Sequence, residues 1–372
     1  MKISAPFDTA EEVLLLIKAG ADELYCGVYS DSWKEIGTYP NARYIPYGNL
    51  ESFQQLREAL MIAKKYNVPV YLCANEFLGQ DASEFLLKDI SQAIAIGIDG
   101  FIVADFNLIP SIKRLKKTSK IILSSLNPCF NSSALRFYKN LGVNRIVLPY
   151  NQLTLEELKD ILKEAQKISM ETEVFSTSGI MCKNVNGFCL YHKIGFKNLY
   201  KSKYKYGHSV AKEILRWLLK AFSHSLNKKI RKMIWTSNLY PHTSCREKFD
   251  AEVLEKFDGR YIKQNTPKEF LFNMYFQNSY CTVCLKWLLS KVGLTAVKIE
   301  GRGRSTEQKI KDIKTARKYT EEMEKGYIND DNFEQRGKHI IRIIHGFNCL
   351  DENCYHIVLS QNRLALKKLN EI

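Results

Sequence analysis

Eight short apolar runs, spaced along most of the chain, set the tightest limit on what it can fold into. They lie at residues 2–6, 23–28, 69–75, 100–105, 120–125, 144–150, 172–177 and 295–301. Most are rich in β-branched or aromatic residues, and they are continuous rather than alternating with polar residues. Strands buried on both faces of a parallel sheet read this way. Most of the gaps carry helical patterns. The stretch 8–20 offers Asp8 or Thr9 as N-cap, acids in its first turn and Gly20 as a stop. Residues 50–67, 82–99, 131–143 and 154–169 follow the same logic. Repeated strand–helix units predict an α/β fold, and eight strands in this order predict a (β/α) TIM-like barrel, complete or imperfect. An open doubly wound sheet is the rival, but no G-x-G-x-x-G follows the first strand.

Two segments break the rhythm. Residues 191–280 separate the seventh run from the eighth by far more than one helix. Within them, 191–240 holds twelve Lys or Arg against one acid, Glu213, so this segment supplies +11 of the chain's +15. After residue 325 a polar linker leads to two β-like runs, 338–347 and 354–361. The expected organisation is a barrel over 1–325 interrupted by the basic insertion 191–240, then a linker and β-hairpin appendage over 326–372. No run of about 18 apolar residues suggests a transmembrane helix. The first dozen residues lack a signal-peptide pattern. A cytoplasmic location is therefore expected, where the ten cysteines would be thiols or ligands rather than a disulfide framework.

In a barrel of this kind the chemistry sits where strands end at their C-terminal side. Those ends read Gly27, Asn75, Asp105, Ser124, Ser125, Asn151 and Glu300. Asp105 and Glu300 are the candidate catalytic acids or bases, with an ordinary ion pair to Arg302 or a lysine as the competing reading. Asn75, Ser124, Ser125, Asn151 and Arg302 are the candidate substrate contacts. Neither H-E-x-x-H nor G-x-S-x-G occurs, and no histidine falls in the first 190 residues. That weighs against Cys–His or Ser–His hydrolysis in the barrel mouth.

Four cysteines stand in ligand-like contexts: Cys182, Cys189, Cys245 and Cys281, with Cys284 completing a C-x-x-C. Thiolates suit zinc or an iron–sulfur cluster. Structural zinc favours two close pairs, and only Cys281/Cys284 has that form. Cysteines from dispersed loops suit a [4Fe–4S] cluster. Spacing alone leaves the cluster, zinc and plain loop thiols open. Cys349, Cys354 and His356 offer a weaker second cluster.

The basic segment interleaves its cations with nine aromatics and is densest around Lys201, Lys203 and Lys205. Cations bind phosphates and aromatic faces stack on exposed bases, so RNA is one expected partner. The amphipathic pattern at 210–222 allows a peptide, a protein or an anionic membrane surface instead. A solvated lysine-rich insertion is the plain alternative.

Several of these motifs resemble the collagenase-like peptidase family (peptidase family U thirty-two). "CKNVNGFC" at 182–189 matches its C-x4-G-x-C signature, with Glu173 and Phe175 as the lead-in. "AVKIEGRGRSTEQ" at 296–308 resembles its Lys-Ile-Glu-Gly-Arg block, and "SCREKF" at 244–249 its Cys-Arg element. The resemblance implies a (β/α) barrel. It implies a [4Fe–4S] cluster on Cys182, Cys189, Cys245 and Cys281, with Cys284 in reserve and zinc as the alternative. It further implies oxygen-independent hydroxylation of RNA or of a small aromatic or quinone-type substrate. Collagenase-like peptidase activity, or an accessory binding role with a related subunit or a peptide, are the alternatives it leaves. Two departures stand out. The link from Cys189 to Cys245 is long, and Tyr150–Asn151 replaces the family's frequent Arg-Glu at the end of the sixth strand.

Overall fold

The computed structural model describes residues 1–36, 39–42, 48–149, 153–177, 181–182, 252–257, 260–265, 276–277 and 281–349. Seven strands come first: β1 Lys2–Pro6, β2 Glu23–Cys26, β3 Val70–Ala74, β4 Gly100–Val103, β5 Lys120–Leu123, β6 Arg145–Val147 and β7 Glu171–Thr177. Four more precede the last barrel strand: β8 Met181–Cys182, β9 Glu252–Phe257, β10 Arg260–Asn265 and β11 Phe276–Gln277, then β12 Ala296–Ile299. The helices are α1 Ala10–Lys18, α2 Asp31–Ile36, α3 Phe53–Lys65, α4 Gln80–Ala95, α5 Leu108–Leu115, α6 Ser132–Asn140 and α7 Leu155–Lys167. Beyond β11 come α8 Leu285–Ser290, α9 Thr306–Glu324 and α10 Phe333–His345.

Strands β1 to β7 and β12 close into one parallel barrel, in the order β1-β12-β7-β6-β5-β4-β3-β2. Closure runs through Lys2↔Ala296 on one side of β12 and Val297↔Val174 on the other. All eight apolar runs are barrel strands, so the fold is a TIM-like (β/α)8 barrel. The helices start where local chemistry allows. Ser52, Asn131 and Ser305 each accept a backbone N–H in the first turn of α3, α6 and α9. Thr154 and Glu157 form a reciprocal capping box on α7. At α1 the N-cap is Thr9 without a side-chain bond, and Asp8, the other candidate cap, instead accepts from Lys309.

Between strands and helices lies one apolar layer that includes Ile3, Leu16, Leu24, Leu60, Ile90, Phe101, Leu162 and Val297. Each such side chain contributes about 1.5–3 kcal/mol on burial. Inside the barrel, Tyr25, Tyr71, Cys73, Ile102, Ile122 and Val147 form a second, smaller apolar cluster. Beneath it, at the N-terminal ends of the strands, the barrel is closed by charge. Arg145 is fully buried and donates to Glu23 (2.8 Å), Glu171 (2.7 Å) and Glu173 (3.0 Å). Lys298 meets Glu173 at 3.2 Å and stands 3.9 Å from the centre of the Tyr25 ring. Lys120 meets Glu171 at 2.6 Å.

The chain divides into two compact units, residues 1–187 with 276–372, and residues 188–275. The second contains the antiparallel pair β9–β10. Its bounds extend past the expected insertion 191–240. The C-terminal segment also corrects an expectation, because the β-like run 338–347 is not a hairpin arm. Most of it lies in α10. Gly337, Ile340 and Ile341 are buried there at helical spacing, and Ile344 joins them against Val283, Tyr319 and Ile328. The isoleucine pairs at 340–341 and 343–344 read as a near-continuous buried strand as readily as a helix face, and contact with α9 decides for the helix. The second β-like run, 354–361, lies outside the described residues.

Candidate functional site

The polar ends of the strands gather at the C-terminal mouth of the barrel. The connection after β2 is laced across it. Leu50 N–H donates to the Gly27 carbonyl and Tyr29 N–H to the Leu50 carbonyl, both at 2.8 Å, which brings Asn49 beside Gly27. Ala42 N–H donates to Asn75 Oδ1 at 3.3 Å, and Asn75 Nδ2 donates to Ser124 Oγ at 3.1 Å. Arg302, in the loop after β12, donates through Nη1 to Asn41 Oδ1 (2.9 Å) and Asn49 Oδ1 (3.4 Å). This packing needs a glycine at 27. A Cβ there would stand 2.1 Å from Asn49 Oδ1 and 2.5 Å from Arg302 Nη1.

The loops after β1 and β12 are locked together at the same end. Asp8 Oδ2 accepts from Gly303 N–H at 2.6 Å and from the fully buried Lys309 at 2.7 Å. Lys309 also meets Glu12 at 2.9 Å. Burial opposes the Glu12 charge, yet the Lys309 ammonium holds its carboxyl below the usual range. Burial pushes the Tyr25 hydroxyl and the Cys26 thiol well up, so both are neutral at ordinary pH.

The start of α8 docks on the end of β7. Thr282 N–H donates to the Ser176 carbonyl at 3.0 Å, and its hydroxyl donates to the same carbonyl at 2.7 Å and to that of Phe175. Cys281, half-buried, is therefore carried to the strand's C-terminal end. Cys182 follows the same strand by five residues, and β8 pairs with β11 in the register Phe276↔Cys182. Two of the four expected ligand positions thus come from distant sequence to one end of the barrel. Cys284 is buried and committed to packing. Its sulfur donates to the Glu334 carbonyl at 3.9 Å, and a Cβ on Gly337 of α10 would stand 2.4 Å from that sulfur. Lys286, five residues beyond Cys281, is fully buried. Its Nζ makes no hydrogen bond and lies 5.3 Å from the Tyr319 ring centre. Burial draws its ammonium down to about 8, while the neighbouring Cys281 and Cys284 act in the opposite direction. Among the described residues, no group of three or more His, Cys, Asp or Glu is arranged to hold a metal ion.

The other expected site residues are placed as follows. Asn75, Ser124 and Arg302 are in the mouth network, and Ser125 is buried next to Ser124. Asp105 sits in the turn before α5, where Oδ1 accepts the Asn107 N–H at 2.9 Å. Glu300 is partly buried directly after β12, and its charge pushes the Tyr25 hydroxyl and the Asp312 carboxyl up, in both cases as a minor contribution beside burial. Asn151, Lys201, Lys203, Lys205, Cys189 and Cys245 lie outside the described residues, as do Cys354 and His356. Cys349 packs on the small core of α8, α9 and α10. The described histidines, His339 and His345, are both on α10. Reading strand ends missed Asn41 and Asn49. They lie in the middle of a long connection, and the Gly27–Leu50 and Ala42–Asn75 bonds bring them to the mouth.

Comparison with known proteins finds relatives by sequence. A tRNA hydroxylation protein P1 of Bacillus subtilis (strain 168) is 28% identical over 51% of this chain and 41% of its own length. A tRNA hydroxylation protein P of Escherichia coli (strain K12) is 24% identical over 51% of this chain and 38% of its own. The matches span about two fifths of each of these relatives. A solved U32 peptidase structure is similar at 11% identity over 81% of this chain and 93% of that one, with a TM-score of 0.45. The model of peptidase family U32 matches residues 8–201, more than half of the sequence. With that match the C-x4-G-x-C motif and the barrel find a common explanation: the chain belongs to peptidase family U32.

Proposed function

We propose that this chain is an iron–sulfur RNA-modification enzyme that works at the barrel mouth, and that its reaction is an oxygen-independent hydroxylation of a tRNA base. The observation that carries the reading is the docking of Cys281 at the C-terminal end of β7, the strand that Cys182 follows by five residues, on the barrel end where the strand-end amides and Arg302 gather. The names of the two tRNA hydroxylation relatives support the choice of substrate.

A soft, all-thiolate donor set fits an iron–sulfur cluster, and Cys182, Cys189, Cys245 and Cys281 would hold it. When bound, such a cluster supplies electron transfer. The chain's own residues supply the rest. Thr282 fixes Cys281 against the backbone of β7, and Asn75, bonded to Ala42 and Ser124, orients the Ser124 hydroxyl, whose own proton would be donated to a polar ring. The neutral Tyr25 and the apolar layer below the mouth exclude water from beneath it. Histidine supplies no general base among the described barrel residues, which favours redox chemistry over Cys–His hydrolysis.

The test is anaerobic purification of the full chain, followed by its visible spectrum and iron and sulfide analysis. The expected result is a brown protein with about four irons and four sulfides per chain, and loss of both in Cys182→Ser and Cys281→Ser. A colourless protein holding one zinc, or no metal, refutes the cluster. Cleavage of gelatin by a cluster-free preparation would instead select the peptidase reading that the family's name carries.

A further inference from the structure

The loop after the last barrel strand, Gly301–Ser305, carries two arginines and leads into α9. Their surroundings differ. Arg304 has a carboxylate partner, Asp312, at 3.5 Å. The other cation of this end, Lys309, is matched by Asp8 and Glu12. Arg302 is only 9% exposed. Both of its hydrogen bonds leave from Nη1 and end on neutral amide oxygens, those of Asn41 and Asn49. Among the described residues, Nε and Nη2 make no hydrogen bond, and no carboxylate lies within ion-pair distance of the guanidinium. A largely buried cation without a carboxylate is costly, and an oxyanion that reaches Nε or Nη2 offsets that cost.

A second observation points the same way. Asn41 is fully buried, and its Nδ2 makes no hydrogen bond. With Oδ1 held by Arg302, that amide nitrogen is a spare donor beside the guanidinium. The two nitrogens converge over Gly27, at 2.7 Å (Asn41 Nδ2) and 2.5 Å (Arg302 Nη1) from where its Cβ would be. The planar fork of an arginine matches the geometry of a phosphate. The loops after the last strands of a (β/α)8 barrel are a recurrent place for phosphate binding.

We infer that Arg302, held by Asn41 and Asn49 over Gly27, is an oxyanion receptor that takes a phosphate of the nucleic-acid substrate at the barrel mouth. The choice of nucleic acid rests on the function proposed above; the receptor rests on this geometry. Arg302 and Asn41 Nδ2 bind the group, and Asn49 and Gly27 position the fork.

Two measurements on the full chain keep the two ideas separable. In the first, inorganic phosphate is titrated into protein labelled with 15N-arginine, and Nε–H signals are followed by NMR. Arg302→Lys identifies the Arg302 signal by its loss. Phosphate is expected to shift that signal saturably, whereas chloride at equal ionic strength leaves it in place. Gly27→Ala, which displaces the fork, is expected to weaken the response at least tenfold. An Arg302 signal that phosphate leaves unmoved overturns the inference, whether or not RNA binds. In the second, affinity for an unmodified tRNA transcript is measured against salt. Arg302→Gln is expected to lower the log–log slope by about 1, with Arg136→Gln, on the outer face of α6, as the unchanged control. Tight RNA binding with the same slope in Arg302→Gln overturns the inference. A phosphate-responsive Arg302 in a protein that binds no tRNA keeps the receptor, removes nucleic acid as its source and refutes the function proposed above.

Discussion

Arg145 offers the sharpest test of how this barrel is closed. It is fully buried at the N-terminal end and bonds Glu23, Glu171 and Glu173, of which Glu23 and Glu173 are also buried. Arg145→Met keeps most of the volume and removes the charge. Lys298 remains for Glu173, and Lys120 and Lys2 remain for Glu171 and Glu23. The geometry loses its common centre, and Glu23 is left with long contacts, 3.5 Å from Lys2, 3.5 Å from the Tyr71 hydroxyl and 3.9 Å from Lys120. Breaking a buried pair by removing one partner costs about 3–5 kcal/mol. That loss is expected at pH 7.5 in urea unfolding followed by circular dichroism, with an unchanged m-value.

The pH dependence carries the mechanism. Burial opposes the charge of Glu171, but Lys120 and Arg145 hold its carboxyl down at about 2. Glu173 is likewise held low against its burial by Lys298 and Arg145. A depressed carboxyl contributes stability that is present above the unfolded value, 4.5 here, and is lost as pH falls through the folded one. Without Arg145 the carboxyls rise toward or past 4.5, so protonation relieves the variant but not the wild type. The gap between them should therefore narrow between pH 6 and pH 3. A loss below about 1 kcal/mol at pH 7.5, or one that does not change with pH, refutes this account of the barrel floor.

Two further substitutions test the C-terminal packing. Burial raises Asp312 to about 6 against the pull of Arg304 and Gln308, so stability falls as pH rises from about 4 to about 6 and the penalty is full above that. Asp312→Asn should improve stability at pH 8 relative to its effect at pH 4 by at most about 3 kcal/mol, measured by urea unfolding. An equal effect at both pH values contradicts the assignment. Gly337→Ala drives a methyl into the Cys284 sulfur and should cost about 1–3 kcal/mol and speed proteolysis of the segment around α10. Adding Cys284→Ala should restore much of the loss, and a double variant as unstable as Gly337→Ala alone would place the clash elsewhere.

The barrel was legible in the sequence because each strand is buried on both faces and so appears as an unbroken apolar run. Helices with their own caps and periodicity, such as α3 and α7, were equally plain. Short elements without such signals, α2, α5 and α8, were not. The run 338–347 shows the limit most directly. Its isoleucines fit either period, and only their contact with Tyr319 and Ile328 makes a helix of them.

At the candidate site the division is similar. Residue type at strand ends marked Asn75, Ser124 and Arg302, and motif spacing marked the cysteines. The sequence could not show that Asn41 and Asn49 reach Arg302, since they sit in a connection whose path is set by long-range bonds, those of Leu50 with Gly27 and Tyr29 and that of Ala42 with Asn75. Nor could it show that Cys284, three residues from Cys281, is taken up by packing against Gly337. It could not show that Arg145, rather than more leucine and valine, fills the barrel floor. Local pattern determines which segments are buried. Which buried charges and amides meet is decided by closure of the barrel, because it brings residues more than a hundred positions apart within hydrogen-bond distance.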